Sequence, residues 1–166
     1  MTQPLVEREW TDRPLGEGET LDLGHAQITR MDAGCLTLIS GEFEKAIGKA
    51  RVVGLGGECG RGNHAIRIAH DSVLLVTASP PKLKPGWHDK GYAVSPASGK
   101  HALFEISGEG AETIMAQGAT VLDGSPSAMT RFAGLNALIT RKGRVWRVIV
   151  ETPMATYLTG WLRGAG

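Results

Sequence analysis

Residues Gly99–Gly118, GKHALFEISGEGAETIMAQG, contain a strand pattern, a tight turn and a short helix pattern. In the strand part, Ala102, Phe104 and Ile106 share one face because successive side chains point to opposite sides of a strand. The helix part has a candidate N-cap serine, acidic residues in the first turn, an apolar face and a terminal glycine. Ser107 is the candidate N-cap, and Glu109 and Glu112 are the acidic residues. Ala111, Ile114 and Met115 form the apolar face, and Gly118 is the terminal glycine.

An earlier stretch, Cys35–Ala50 (CLTLISGEFEKAIGKA), repeats this pattern. Leu36 corresponds to Leu103, and the triplet Ser-Gly-Glu follows the apolar strand in both copies. Ser40 takes the N-cap position of the first copy. Its helix pattern has apolar residues at the spacing of a single face, namely Phe43, Ala46, Ile47 and Ala50. A repeated strand–turn–helix unit predicts a fold made of two similar halves.

Each half also contains a hairpin pattern. The first is Ala65–Ala69 with Val73–Ala78, and the second is Gly134–Arg141 with Arg144–Glu151. Thr152-Pro153 then begins a closing helix, whose predicted apolar face is Met154, Tyr157, Leu158, Trp161 and Leu162. This order predicts an α+β fold in which two ferredoxin-like (split βαβ) halves pack as one domain with a mixed, mostly antiparallel sheet.

The predicted organisation is an N-terminal arm over residues 1–20 and a domain over residues 21–166. The halves cover about 21–98 and 99–166. Trp10 is the apolar residue expected to dock the arm. A Pro/Gly-rich crossover over residues 79–100 links the halves, and it is interpreted either as an anion- or partner-contacting loop or as a degraded helix of the first repeat.

The composition argues against several classes of function. The net charge is +1, from 18 Lys and Arg against 17 Asp and Glu, so nothing indicates nucleic-acid binding. No apolar run approaches the roughly 20 residues of a membrane span, and the first residues lack the layout of a signal peptide. Cys35 and Cys59 are interpreted as free thiols of a reducing cytoplasm.

No motif predicts catalysis by this chain. The glycine run Gly54–Gly62 departs from the dinucleotide fingerprint because Cys59 stands at the third glycine position, so a mobile loop is favoured over a phosphate cradle. Ser107 lacks the glycine two residues before it that a nucleophile elbow requires. The five histidines have no metal-ligand spacing, so neither catalytic nor metal-binding residues are predicted.

The chain from about residue 65 onward resembles a known family. The stretches HALFEISGEGAETIMAQGATVL and RFAGLNALITRKGRVWRVIVETPMATYLTGWL, with the preceding hairpin end VLLVTASP, resemble the gamma subunit of heterotetrameric sarcosine oxidase. That family has the aminomethyltransferase (glycine-cleavage T-protein) folate-binding-like fold. The resemblance covers about residues 65–166. A related iron–sulfur-maintenance branch has a K-G-C-[FY]-x-G-Q-E motif, which neither cysteine of this chain matches.

The resemblance implies a non-catalytic, gamma-type subunit of a bacterial, cytoplasmic amine oxidase linked to one-carbon (folate) metabolism. Its partners would be flavoprotein oxidase subunits, with flavin and NAD held only by those partners. Self-association is the other mode of assembly considered. The alternative function is a free-standing folate-like binding protein or an aminomethyltransferase-related enzyme, for which tetrahydrofolate is the expected ligand.

One basic group is a weak candidate for binding an anion. Its arginines are Arg131, Arg141, Arg144 and Arg147, accompanied by Lys142. A guanidinium binds a carboxylate through paired hydrogen bonds. The group is therefore interpreted either as a binding site for a folate tail or an acidic partner, or as a solvated face of the hairpin.

Overall fold

The computed structural model describes residues 13–120 and 124–165. Its strands, in chain order, are β1 (Thr20–Asp22), β2 (Gln27–Met31), β3 (Cys35–Gly41), β4 (Arg51–Val53), β5 (His64–Ala69), β6 (Ser72–Thr77), β7 (Gly86–His88), β8 (Tyr92–Pro96), β9 (His101–Ser107), β10 (Met129–Phe132), β11 (Leu135–Lys142) and β12 (Val145–Glu151). The α-helices are α1 (Glu44–Ile47), α2 (Ala111–Gly118) and α3 (Ala155–Gly164), the last preceded by a 3₁₀ turn over Thr152–Met154.

The strands form two six-stranded sheets. The first sheet has the order β1-β2-β9-β12-β11-β10, and the second has the order β4-β5-β6-β3-β8-β7. Neighbouring strands are antiparallel except β4 and β5, which are parallel. This arrangement confirms the predicted α+β class with two ferredoxin-like halves and mostly antiparallel pairing. β1 and β2 come from the first predicted half of the chain but pair in the sheet that the second half builds.

The two sheets pack face to face, with helices on their outer faces. Leu103, Leu138 and Ile149 of the first sheet meet Leu36 and Ile66 of the second in the inner core. Outside the first sheet, buried residues of α2 and α3 cover β9, β11 and β12, with Ile114, Met115, Leu158 and Leu162 among them. Outside the second sheet, the partly buried Ala46 and Ile47 of α1 pack on the strands.

The internal repeat corresponds to two equivalent turns at the ends of β3 and β9. Gly41 and Gly108 both adopt positive φ, +92° and +99°, which favours glycine. Another chain segment passes close to each turn. A Cβ on Gly41 would overlap the carbonyl oxygen of Gly91, and one on Gly108 would lie 2.8 Å from the carbonyl oxygen of His25. The glycine in Ser-Gly-Glu is therefore the residue that the repeated turn requires.

The predicted serine caps are wrong. Ser40 and Ser107 lie within β3 and β9, and the residues before the helices are Phe43 and Gly110, neither with a side-chain cap. The turn glycine redirects the chain, so each helix begins several residues later than the serine. Thr152 also differs from its predicted role as a cap, since its hydroxyl donates a hydrogen bond of 2.8 Å to the carbonyl of Gly99.

Two further predictions are corrected. The interpretation of residues 79–100 as a degraded helix is wrong, because this segment forms the antiparallel pair β7 and β8, with Gly91 (φ +91°) in the turn. The predicted apolar face of the closing helix is wrong in part. Tyr157 is 54% exposed and Met154 is 39% exposed, whereas Thr159 is fully buried.

The glycine run Gly54–Gly62 is attached to the first sheet over Gly56–Cys59, and its mobility stays a prediction. The amide of Gly56 donates to the carbonyl of Ile139 at 2.9 Å, and that of Cys59 donates to Arg141 at 2.7 Å. The amide of Gly143 donates to the carboxylate of Glu58 at 3.0 Å. These bonds hold the segment that follows β4 of the second sheet against the edge of β11 in the first sheet.

Residues 1–12 of the predicted arm, including Trp10, lie outside the described residues. The described part of the arm is anchored at Leu15, which is buried. Its amide donates to the hydroxyl of Thr159 at 3.2 Å, and its carbonyl accepts from the guanidinium of Arg30 at 2.7 Å. No helix within the described ranges has the length and apolar character needed to cross a bilayer.

Candidate functional site: two openings between the sheets

A cavity of about 390 Å³ opens between the two sheets, and we call it the basic cleft. Arg61, Lys142 and Arg147 line it, together with the acidic Asp32 and the imidazole of His64. Aliphatic side chains of both sheets form its walls, among them Leu36, Ile66, Val76, Leu103 and Ile149. The cleft therefore offers positive charge next to an apolar surface.

The most constrained charge in the basic cleft is Arg147. Its Nε donates to Oε1 of Glu105 at 2.9 Å, and the two residues are direct cross-strand partners on β12 and β9. Their side chains are only 16% and 18% exposed. Charge-assisted pairs of this kind are stronger than surface pairs because water screens them less.

Replacing Glu105 with glutamine is expected to lower the free energy of unfolding by about 1.5–3 kcal/mol, because Arg147 would keep its charge in a half-enclosed site without a counterion. Equilibrium unfolding in urea measures this change. The matched control is Glu42→Gln, which removes an exposed pair with Lys45 and should cost at most about 1 kcal/mol. Equal losses in the two variants would contradict the account of the Arg147 pair.

A cysteine and a histidine interact beside the basic cleft, and the histidine is one of its lining residues. Cys59 is buried, with only 1% of its surface exposed, and His64 is 6% exposed. Burial alone would raise the pKa of the Cys59 thiol, but interactions with the side chains of His64 and Thr140 lower it below its ordinary value. The same contact with Cys59 raises the pKa of His64, against the effect of burial. Both shifts favour a thiolate beside an imidazolium.

The structure separates the four arginines that the sequence grouped. Arg141 lies on the opposite face of the first sheet from Arg147, with its guanidinium 3.6 Å from the centre of the Trp146 ring. Arg141 also pairs with Glu112 of α2 at 2.9 Å. Arg131 lines a different opening, and Arg144 is an exposed residue of the hairpin turn. A single carboxylate could therefore be bound by only one of these arginines at a time.

A second opening between the sheets is larger and mostly apolar, and we call it the apolar groove. Its main cavity is about 870 Å³ and is lined by Leu38, Ile68, Pro96, Met129 and Pro153, among others. An adjoining cavity of about 370 Å³ shares Ile68 and Met129 and adds Met154 and Arg131. Met129 and Met154 are 38% and 39% exposed. Exposed methionines at a groove are typical of surfaces that bind other proteins.

His101 is the titratable imidazole that lines the apolar groove. Burial lowers its pKa, against the opposite effects of a hydrogen bond with the Ala97 backbone and the charge of Glu151. A lowered pKa keeps the ring neutral at physiological pH, so His101 adds no positive charge to the groove.

Across residues 13–120 and 124–165, the structure places no three His, Cys, Asp or Glu side chains where they could hold a metal ion. The Cys59–His64 pair was missed by reasoning from spacing. The two residues are only five positions apart, but the chain between them is a loop, and Thr140 and Arg147 join them from other strands. The one signal in the sequence was the short separation between Cys59 in the glycine run and His64 just after it.

Comparisons with known proteins agree with this fold. Neither the family models nor the curated protein sequences contain a match. Among solved structures, this chain is similar to a chain of heterotetrameric sarcosine oxidase from Corynebacterium sp. U-96, solved in complex with pyrrole 2-carboxylate. The TM-score is 0.66 at 15% sequence identity, and the match covers 93% of this chain and 87% of the other. The fold expected from the resemblance is therefore confirmed.

Proposed function

We propose that this chain is a gamma-type, non-catalytic subunit of a heteromeric amine oxidase similar to sarcosine oxidase, acting in the cytoplasm and linked to folate metabolism. The observation that carries the proposal is the fold similarity to a chain of such an oxidase over 93% of the sequence. In this proposal the flavin and nicotinamide groups belong to partner subunits. The chain acts by holding those subunits in place.

The proposed contact surface is the apolar groove, and its occupant is a flavoprotein subunit of the same assembly. Support comes from the partly exposed Met129 and Met154 at the groove and from Tyr157, which is 54% exposed and lies beside Gly134 at the edge of the groove. The Tyr157 hydroxyl donates to the carbonyl of Ala133 at 3.0 Å, which fixes the ring in an exposed position. Rigid, exposed apolar groups contribute strongly to protein interfaces because little side-chain entropy is lost on binding.

Capture of the affinity-tagged chain from the cells that encode it tests the proposal. The expected result is stoichiometric recovery of further polypeptides that carry flavin absorbance and oxidise a secondary amine such as sarcosine. Recovery of a second copy of this chain alone would support self-association instead. Recovery of the tagged chain alone would contradict both modes of assembly.

A second candidate function is binding of tetrahydrofolate in the basic cleft. The juxtaposition of Arg61 and Lys142 with aliphatic walls suits a ligand that has an apolar ring system and a carboxylate tail. At about 100 times its Kd, such a ligand would stabilise the folded chain by about 2.7 kcal/mol. Thermal unfolding with added tetrahydrofolate measures the effect, and Arg61→Glu with Lys142→Glu should abolish it. A flat titration would eliminate this candidate.

A further inference from the structure

The hairpin of β7 and β8 presents the most exposed large apolar side chain of the described residues. Trp87 on β7 is 72% exposed, compared with 54% for Tyr157. A single exposed apolar residue needs no explanation by itself, so the surroundings of Trp87 decide what it does.

Trp87 lies on a free edge of the second sheet. β7 is the end strand of that sheet and pairs with β8 on one side, and no described strand lies on its other side. The backbone N–H and C=O groups on the outer side of an end strand are open to a further strand. An extended peptide binds such an edge by adding a strand to the sheet.

Contacts within the hairpin and to the sheet hold this edge in place. The rings of His88 and Tyr92 stack with their centroids 4.5 Å apart. Nε2 of His88 lies 2.8 Å from the carbonyl oxygen of Lys84 and donates to it, which ties the segment before β7 to the hairpin. Leu83 is partly buried against the outer core of the second sheet. A surface that is fixed before binding loses little conformational entropy when a partner covers it.

The charges beside Trp87 are positive and uncompensated. Lys82, Lys84 and Lys90 are exposed, and none of them forms an ion pair with a described residue. Asp89 is the only acidic residue within residues 82–90. Unpaired ammonium groups repel a basic strand and attract an acidic one, so the charges at this edge select the partner.

We propose that the free edge of β7 binds an extended, acidic segment of a partner protein other than the flavoprotein subunit. The segment adds a strand beside β7, its carboxylates pair with the three lysines, and one of its apolar side chains covers Trp87. This surface is separate from the apolar groove, because none of residues 82–90 lines the groove.

A nucleic acid or an anionic bilayer fits this surface less well. Three lysines supply few charges, and the chain as a whole has a net charge of +1, so its long-range attraction to a polyanion is weak. Neither a polynucleotide nor a bilayer pairs in register with the backbone of a strand edge. An acidic peptide matches the strand edge, the tryptophan and the positive charge together.

The test titrates the full chain with a fluorescein-labelled peptide of alternating glutamate and valine, and fluorescence anisotropy follows binding. We expect saturable binding that Trp87→Ala weakens at least about 10-fold, because an aromatic anchor is lost. The variant Lys82→Gln with Lys84→Gln and Lys90→Gln should also bind about 10-fold more weakly. Arg144→Gln is the matched control, since it removes an exposed cation of the β11–β12 turn, and it should leave the affinity unchanged.

No binding at about 1 mM peptide would overturn the proposal. Equal binding of a peptide with lysine in place of every glutamate would overturn it too. A peptide with proline in place of each valine lacks the N–H donors of a strand and should bind more weakly, so an unchanged affinity would rule out strand addition. Tighter binding of phosphatidylglycerol vesicles or of oligothymidylate would assign the surface to a lipid or a nucleic acid instead. All these results are independent of flavoprotein capture at the apolar groove.

Discussion

Replacing Phe104 with alanine is expected to lower the free energy of unfolding by about 3–5 kcal/mol. Phe104 is fully buried on β9, the strand that pairs with both β2 and β12 in the first sheet. Its ring belongs to the core beneath α2 and α3. Truncation would leave a cavity that flanking strands cannot fill by moving, because they are hydrogen-bonded on both sides.

Equilibrium denaturation followed by circular dichroism measures this loss. The control is Trp87→Ala, since Trp87 is 72% exposed and its removal should change stability by no more than about 0.5 kcal/mol. A loss below about 1 kcal/mol for Phe104→Ala would mean that the helices do not close over this face of the sheet.

Placing two carboxylates in the apolar groove is expected to abolish assembly with the flavoprotein partner. In the variant Met129→Glu with Met154→Glu, two partly exposed side chains at the groove become charged. Burying those charges against a partner without counterions costs more than the contacts provide. We expect at least an approximately 100-fold weaker complex, equivalent to about 2.7 kcal/mol of binding free energy.

Quantitative capture of the partner polypeptides by each variant measures this effect. Trp87→Glu is the matched control, because Trp87 is exposed on β7 and is not among the residues that line the groove. It should capture the partners as the unmodified chain does. Loss of capture in Trp87→Glu with normal capture in the methionine variant would indicate that the interface lies at the edge of the second sheet instead.

Local patterns were sufficient to predict the paired elements of this fold. Alternating apolar residues located β9 and the β11–β12 hairpin, because a half-buried strand must alternate. The repeated Ser-Gly-Glu located two equivalent turns. The serines were misread as helix caps because the reason for the glycine, a close approach of Gly91 or His25, comes from a distant part of the chain.

The candidate site was less predictable for the same physical reason. Arg141 and Arg147 are six positions apart on one hairpin, yet the turn and strand register place them on opposite faces of the sheet. The side chains that lower the pKa of the Cys59 thiol against the effect of burial, those of His64, Thr140 and Arg147, come from three different strands. Such a group depends on long-range packing, which spacing along the sequence does not encode.

The most direct measurement for the central claim is the native mass of this chain in an extract of its own cells, obtained by size separation with specific detection. The account predicts that the chain elutes together with flavin-containing polypeptides, at a mass several times its own 17.6 kDa. Elution of the whole pool as a 17.6 kDa monomer, separate from any flavoprotein, would contradict it.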